Sequence, residues 1–429
     1  MGPQTQANPT PTPQMFPSLR PRQCIPRWPA LLPRVDARAS RVRNRIVQQR
    51  NFAYIPTTRT ASIRPTINHT RNLVSRRPFQ ISQLSTMKAL VYNGAGNVAL
   101  EDRPVPTVQS PSDAVIQLKY TTICGTDLHI MKGDVPTCEP GRVLGHEGVG
   151  VIHKVGSSVT KFKEGDLVLI PAITSCGTCH YCRKGMQSQC EDGGWVLGNT
   201  LDGTQAEYVR IPSAETSLYK IPEGADPKTM VMLSDILPTG FECGVQNARV
   251  EPGCSLLIIG AGPVGLAALL TAQLYSPGLI IVVDYDENRL RIARELGAHA
   301  TATPPEAEKV VLGLTEGRGC DAVLEVVGIP QTFHQCQELV GAGGVIANVG
   351  VHGTKVDLHL EKLWSKNIAI TTRLVDTATV PMLLKLVAAK RLPAEKLITH
   401  NFAFTDMMGA YDTFKAASAN QALKVIIEF

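Results

Sequence analysis

At 429 residues the chain is long enough for two or three domains, and its 43% hydrophobic content is ample for a packed core. No apolar run approaches the ~20 residues needed to cross a bilayer. The net charge of +6 is unevenly placed: residues 1–86 carry fourteen arginines, no lysine and one acid, which leaves −7 on the remainder. A globular part of that sign has no reason to seek nucleic acid.

Residues 1–86 also hold 12 of the 30 prolines and show no apolar periodicity, so they are expected to be a disordered extension. An arginine-rich, acid-poor, serine-containing composition fits a leader for the mitochondrial matrix. Arg77-Pro78-Phe79-Gln80-Ile81-Ser82 has the arginine, apolar and serine spacing of two-step matrix processing, which would release a chain beginning at Met87. Against import, the first 19 residues carry no arginine, and translation from Met87 itself would give a cytosolic form.

From Met87 the texture changes. Lys88–Tyr92, Ala114–Tyr120, Gly148–Lys154 and Asp166–Ile170 are short, β-rich and bounded by Gly, Pro or Asp, which predicts a barrel-like β domain. Three segments in this part hold metal-ligand residue types: Cys124-Gly125-Thr126-Asp127-Leu128-His129, Gly145-His146-Glu147-Gly148, and Ser234-Asp235-Ile236-Leu237-Pro238-Thr239-Gly240. Singly each is weak, since a lone Cys is usually a small hydrophobe, a lone His a satisfied polar residue and such an Asp a cap. Four of the 11 cysteines are different. Cys176, Cys179, Cys182 and Cys190 lie close enough in sequence to wrap one tetrahedral ion, and four protein ligands leave no open position, so that site should be structural.

After about Thr239 the pattern becomes strand–helix alternation. Ser255–Ile259 leads through a glycine turn to an apolar helix ending near Tyr275. Leu279–Val283, a helix over Glu287–Leu296, and strands at Ala322–Val327 and Val345–Val349 follow, which predicts a parallel, doubly wound sheet. Gly260-Ala261-Gly262-Pro263-Val264-Gly265 joins the first strand to the first helix. Glycines there permit the tight turn (Gly260), close approach of a pyrophosphate (Gly262) and close helix–strand packing (Gly265), with Pro263 opening the helix. Asp284 ends the next strand, placed to accept hydrogen bonds from both adenosine ribose hydroxyls and to repel a 2′-phosphate, so NAD is expected over NADP. Arg289, one helical turn on, tempers that exclusion. The last ~55 residues are mixed in character and are expected to rejoin the first domain.

Taken together, the C-G-T-D-x-H segment, G-H-E, the four-cysteine lobe, the D-x-x-x-T-G segment and G-x-G-x-x-G resemble the zinc-containing medium-chain alcohol dehydrogenases, in the same order and over residues 87–429. The resemblance implies an α/β protein. A GroES-like catalytic domain would span 87–238 and 373–429 with its structural zinc lobe at 176–190, and a Rossmann NAD-binding domain would span 239–372. It implies two zinc ions, the catalytic one held by Cys124, His146 and Asp235, with Glu147 behind the metal and able to swing in. Many members have a cysteine where this chain has Asp235; the form here is similar to the branch with secondary-alcohol and broad-specificity bacterial enzymes. Thr126 would take the alcohol proton, His129 would carry it toward solvent, and Lys424 would approach the cofactor phosphates. The expected reaction is reversible, NAD-linked oxidation of a small primary or secondary alcohol to an aldehyde or ketone. A polyol or threonine dehydrogenase of the same superfamily is the alternative. A homo-oligomer, dimer or tetramer, is expected.

Overall fold

The computed structural model describes residues 85–429. The leader reading concerns residues that lie outside this range, apart from its last two. Among the described residues no helix is long and apolar enough to cross a membrane.

The strands in chain order are β1 (Thr86–Tyr92), β2 (Val98–Pro104), β3 (Ala114–Thr122), β4 (Arg142–Val143), β5 (Gly148–Val155), β6 (Leu167–Ile170), β7 (Tyr208–Ile211) and β8 (Tyr219–Lys220). Next come β9 (Ser255–Ile259), β10 (Leu279–Val283), β11 (Ala300–Ala302), β12 (Cys320–Glu325), β13 (Val340–Asn348) and β14 (Ala369–Thr372), and finally β15 (Ile398–Ala403) and β16 (Lys424–Glu428).

β1 to β8 form the β-rich part expected from the short strands. β1 lies between β2 and β4 in a three-stranded antiparallel sheet, and β3, β5, β6, β7 and β8 belong to a seven-stranded one. The chain's end completes that larger sheet, because β16 pairs antiparallel with β3 and carries β15 on its other side.

β9 to β14 form a six-stranded parallel sheet in the order β11-β10-β9-β12-β13-β14. Leu256–Ile259 and Leu279–Val283 read as unbroken apolar runs because helices cover both faces, so successive side chains are buried on one side or the other once past the strand's first residue. Leu256, Ile258 and Val282 join the core on one face, and Leu257, Ile259 and Val283 the core on the other. Each fully buried aliphatic side chain contributes about 1.5–3 kcal/mol. The strand order reverses between β9 and β12, and a doubly wound sheet opens its binding crevice at the carboxyl ends of those two strands.

The connecting helices start where the sequence supplies caps. Asp286 accepts from the N–H groups of Asn288 and Arg289 at the head of Glu287–Glu295, and Thr303 with Glu306 makes a reciprocal cap before Pro304–Leu314. Asp235 precedes a short helical turn at Ile236–Pro238, which continues into a π-helix over Thr239–Gln246.

Candidate active site

Cys124 follows β3 and caps the helix Gly125–Lys132. Its N–H donates to Asp127 Oδ2 at 2.9 Å. That helix puts Thr126 and His129 three residues apart, hence on one face. His146 and Glu147 lie just before β5, and Asp235 enters from the turn ahead of the π-helix. Four groups far apart in sequence thus converge: ligand atoms of Cys124, His146, Glu147 and Asp235 all lie within 4.8 Å of one another. Asp235 Oδ2 is 3.6 Å from both His146 Nε2 and Cys124 Sγ, and Thr239 Oγ1 donates to Asp235 Oδ1 at 2.7 Å.

The electrostatics suit a cation. Burial raises the Asp235 carboxyl, but His146 beside it and the Thr239 hydroxyl outweigh that and hold it at about 2. Burial also drives the Cys124 thiol up, so this cysteine ionises only with positive charge nearby. His146 Nδ1 and Asp127 Oδ1 face each other at 3.8 Å, and both atoms are buried without a hydrogen-bond partner. A carboxylate behind a histidine in this way sets the ring's orientation and raises its basicity toward whatever the other nitrogen binds.

Glu147 is committed elsewhere in this arrangement. Its two oxygens accept from Lys424 Nζ at 2.8 and 3.0 Å, and the same ammonium donates to Ile123 O at 3.1 Å. Burial pushes the Glu147 carboxyl up to about 7, with Lys424 opposing. Lys424 is 1% exposed and lines the central cavity, yet all three of its hydrogens serve Glu147 and Ile123.

The second cluster is the lobe. Cys176, Cys179, Cys182 and Cys190 also lie within 4.8 Å of one another. Backbone N–H groups, that of Thr178 foremost, pull Cys176 down to about 6, while burial pushes Cys182 up to about 12. Four thiols this close cannot all ionise unaided. The donor set fits a soft divalent cation, zinc being the ordinary occupant of four thiolates.

The glycine loop sits in the crevice between β9 and β12. Gly260 has φ +110°, a left-handed value that a side chain would strain, and a Cβ there would lie 2.7 Å from Val327. A Cβ on Gly265 would stand 1.9 Å from Gly260 O, so only glycine lets the helix Pro263–Ala272 approach the loop. At Gly262 the space is open, with Arg289 Nη1 alone nearby at 3.9 Å. These openings fit a cofactor's phosphates at the helix N-terminus. Asp284 Oδ2 accepts from Ala261 N at 2.6 Å, and Asp284 Oδ1 accepts from Asp286 N at 2.9 Å, which holds the carboxylate beside the loop.

Cys124, Thr126 and Asp235 line one cavity of about 950 Å³ together with Gly262 and Pro263, so the metal-type cluster and the glycine loop share one space. The same fold recurs in known proteins. Residues 110–223 match the alcohol dehydrogenase GroES-like domain and residues 263–389 the zinc-binding dehydrogenase domain. An alcohol dehydrogenase of Cupriavidus necator is 34% identical over 369 residues, covering 80% of this chain and 98% of that relative. The chain belongs to the zinc-containing alcohol dehydrogenase family. It is an oxidoreductase. A solved zinc-dependent alcohol dehydrogenase 2 from Streptococcus pneumonia is 49% identical with TM-score 0.77, covering 80% of this chain and 98% of that one. A probable D-xylulose reductase A of Emericella nidulans is 31% identical over 360 residues, covering 81% of this chain and 98% of that relative.

Several groups at this dehydrogenase's site had no role in the sequence reading. Asp127 and Thr239 stood inside quoted segments, but nothing in the spacing showed that they would support His146 and Asp235. Glu242, inside the π-helix, accepts from Asp376 N (2.8 Å), Thr379 N (2.9 Å) and Thr379 Oγ1 (2.7 Å). Asp376 in turn takes Arg373 on one oxygen and the N–H and hydroxyl of Ser188, in the cysteine lobe, on the other. A charged residue flanked by Phe241 and Cys243 was the one signal available for Glu242.

Proposed function

We propose that the protein catalyses reversible, NAD-linked oxidation of small primary or secondary alcohols, with a catalytic zinc at Cys124, His146 and Asp235 and a structural zinc in the four-cysteine lobe. The observation that supports this best is the shared cavity, in which Cys124 and Asp235 of the ligand set face the same space as the glycine loop. When bound, zinc supplies Lewis acidity to an alcohol oxygen, and the nicotinamide supplies the hydride acceptor.

The chain's own residues handle the proton. Thr126 Oγ1, 3.6 Å from Cys124 Sγ, takes the alcohol proton, since a hydroxyl relays one without becoming charged. His129 follows on the same helix face. Its side chain is 45% exposed and its Nδ1 lies 3.1 Å from Asp134 Oδ2, so it hands the proton to water. Gly260, Gly262, Pro263 and Gly265 take the cofactor phosphates, and Asp284 takes the ribose hydroxyls, which favours NAD. Arg289, beside Gly262, stands where it meets a phosphate. Lys424 acts through Glu147, holding that carboxylate behind the ligand set. In this reading the catalytic part is 87–238 with 373–429, and the cofactor part is 239–372.

Metal analysis combined with initial rates over primary, secondary and polyhydroxy alcohols, with NAD and NADP compared, tests the proposal. NAD-dependent turnover that tracks zinc content is expected. The polyol alternative is favoured by one observation, the xylulose reductase likeness.

A homo-oligomer is supported by β14, which ends the parallel sheet with its outer edge unpaired among the described residues, and by exposed Trp364 (79%) and Leu360 (60%) nearby. The leader composition supports import into the mitochondrial matrix, and the start at Met87 supports a cytosolic form. N-terminal sequencing of the protein from each compartment of its native cells separates the two.

A further inference from the structure

Asp127 bears on two members of the ligand set at once. Its Oδ2 takes the Cys124 N–H, and its Oδ1 faces His146 Nδ1 at 3.8 Å. The orientation of one carboxylate therefore matters to both a cysteine and a histidine. Asp127 is 1% exposed, so the groups that hold it come from the core.

The holder is Gln205. Its Nε2 donates to Asp127 Oδ2 at 3.1 Å and to Thr122 O at 3.3 Å. A backbone carbonyl only accepts, so the amide NH2 points this way and Oε1 points the other. There the Tyr411 hydroxyl donates to Gln205 Oε1 at 2.8 Å. A flipped amide would set its oxygen against the Asp127 carboxylate and the Thr122 carbonyl, so the phenol and the amide fix each other's direction.

Gln205 and Tyr411 are both fully buried. The Gln205 backbone is fixed on two sides, its O accepting from Leu90 N at 2.8 Å and its N donating to Leu144 O at 2.9 Å. Gly145, immediately before His146, has φ +91°, and a Cβ on it would lie 2.6 Å from Gln205 Cγ. The glutamine side chain thus lies against the turn that delivers His146. Tyr411 comes from the helix Met407–Lys415 near the end of the chain, in one apolar cluster with Leu90, Ile123, Ile130 and Leu144.

With two donors on Oδ2, Asp127 keeps Oδ1 for the histidine. An acceptor there places the ring hydrogen on Nδ1 and leaves the lone pair on Nε2, the nitrogen that faces Asp235, for a metal. We propose that Gln205 and Tyr411 are positioning residues for the catalytic metal, the line Tyr411–Gln205–Asp127 fixing the orientation of His146 from the closing segment of the chain. This rests on the ligand set assigned above and extends it to two side chains that hydrogen-bond to none of its members.

The test is the rate at which the full-length, zinc-loaded protein gives up zinc to an excess of a chromogenic chelator, with the unfolding midpoint measured in parallel. Cys124→Ala, which keeps the lobe's ion, supplies the release to be subtracted. Partners behind a metal ligand are worth about 10–100-fold in affinity, and Tyr411 acts a step further out. Tyr411→Phe, which removes one oxygen, should therefore speed loss of the catalytic zinc about threefold to tenfold. Gln205→Met, which keeps the side chain's length and loses the amide, should speed it about tenfold or more. Adding Tyr411→Phe to Gln205→Met should change the rate by less than about twofold, because the phenol acts through the amide. Release within about twofold of wild type in both single variants, with the midpoint lowered, means that the pair only satisfies the core, and overturns the inference. Independent, multiplying effects in the double variant overturn it too. A wild type with no chelatable zinc beyond that of Cys124→Ala overturns the ligand set itself, and this inference with it.

Discussion

Replacing Glu242 by glutamine should destabilise the protein by about 2–3 kcal/mol, although the side chain changes by one atom type. Glu242 is fully buried, and its two oxygens serve three donors: Asp376 N on Oε2, and the N–H and hydroxyl of Thr379 on Oε1. Glutamine keeps one acceptor oxygen. If that oxygen faces Thr379, which brings two donors, the amide NH2 meets the Asp376 N–H, and a buried donor loses its partner. A hydrogen bond to a charged acceptor contributes about 1.5–3 kcal/mol, and a buried donor left unpaired costs a similar amount, which is largely the same loss counted from the other side. Arg373, 3.8 Å away and 31% exposed, adds little because solvent screens it. Urea denaturation at neutral pH measures the effect, with an unchanged m-value expected. Thr379→Val should cost about 1 kcal/mol in the wild type and less in the Glu242→Gln background, because the two share one contact. Since Thr372 to Asp376 line the cofactor cavity, KM for NAD should rise in parallel. A Glu242→Gln protein within about 0.5 kcal/mol of wild type, or strictly additive costs, would refute this account of the network.

Three further outcomes follow from the same geometry. Asp284→Gly removes the ribose partner and the repulsion of a 2′-phosphate, so the ratio of kcat/KM for NAD over NADP should fall; a wild type that already prefers NADP would mean Arg289 outweighs the carboxylate. Lys220 at 2.9 Å holds the Asp166 carboxyl below its usual range, so its stabilisation is present above the ordinary carboxylate pKa and lost as pH falls through the lowered one. The stability gap between wild type and Asp166→Asn should therefore be constant from about pH 7 to 5 and close below about pH 4, read by urea denaturation across that range. A chain beginning at Met87 should fold and match full-length kinetics, because among the described residues it gives up only the first pair of β1, Thr86 with Pro104, and one backbone bond from Val105 N to Ser85 O.

What could be read from the sequence divides along physical lines. β9 and β10 fall where the apolar runs put them, residue for residue, since burial on both faces leaves a local signature. β13 was expected from Val345 and begins at Val340, because Gly341, Gly343 and Gly344 dilute the strand pattern. The structure gives a reason for one of them: a Cβ on Gly344 would lie 2.9 Å from Asp321 O on the neighbouring strand. The ligand candidates were legible through motif order, and the structure brings all of them into two clusters. The residues around them were not legible. Glu242 bonds to a segment 134 to 137 residues away, and Asp376 to Ser188 across 188, separations that no local periodicity records.

Zinc stoichiometry measured alongside turnover tests most directly whether the two ligand clusters do different work. The purified wild type should carry two zinc ions per chain, one for each cluster. Cys124→Ala or His146→Ala should leave a folded protein with about one zinc and no turnover, whereas Cys179→Ala should lose the lobe's ion and lower the unfolding midpoint. Full activity in a preparation that contains no zinc would contradict the account.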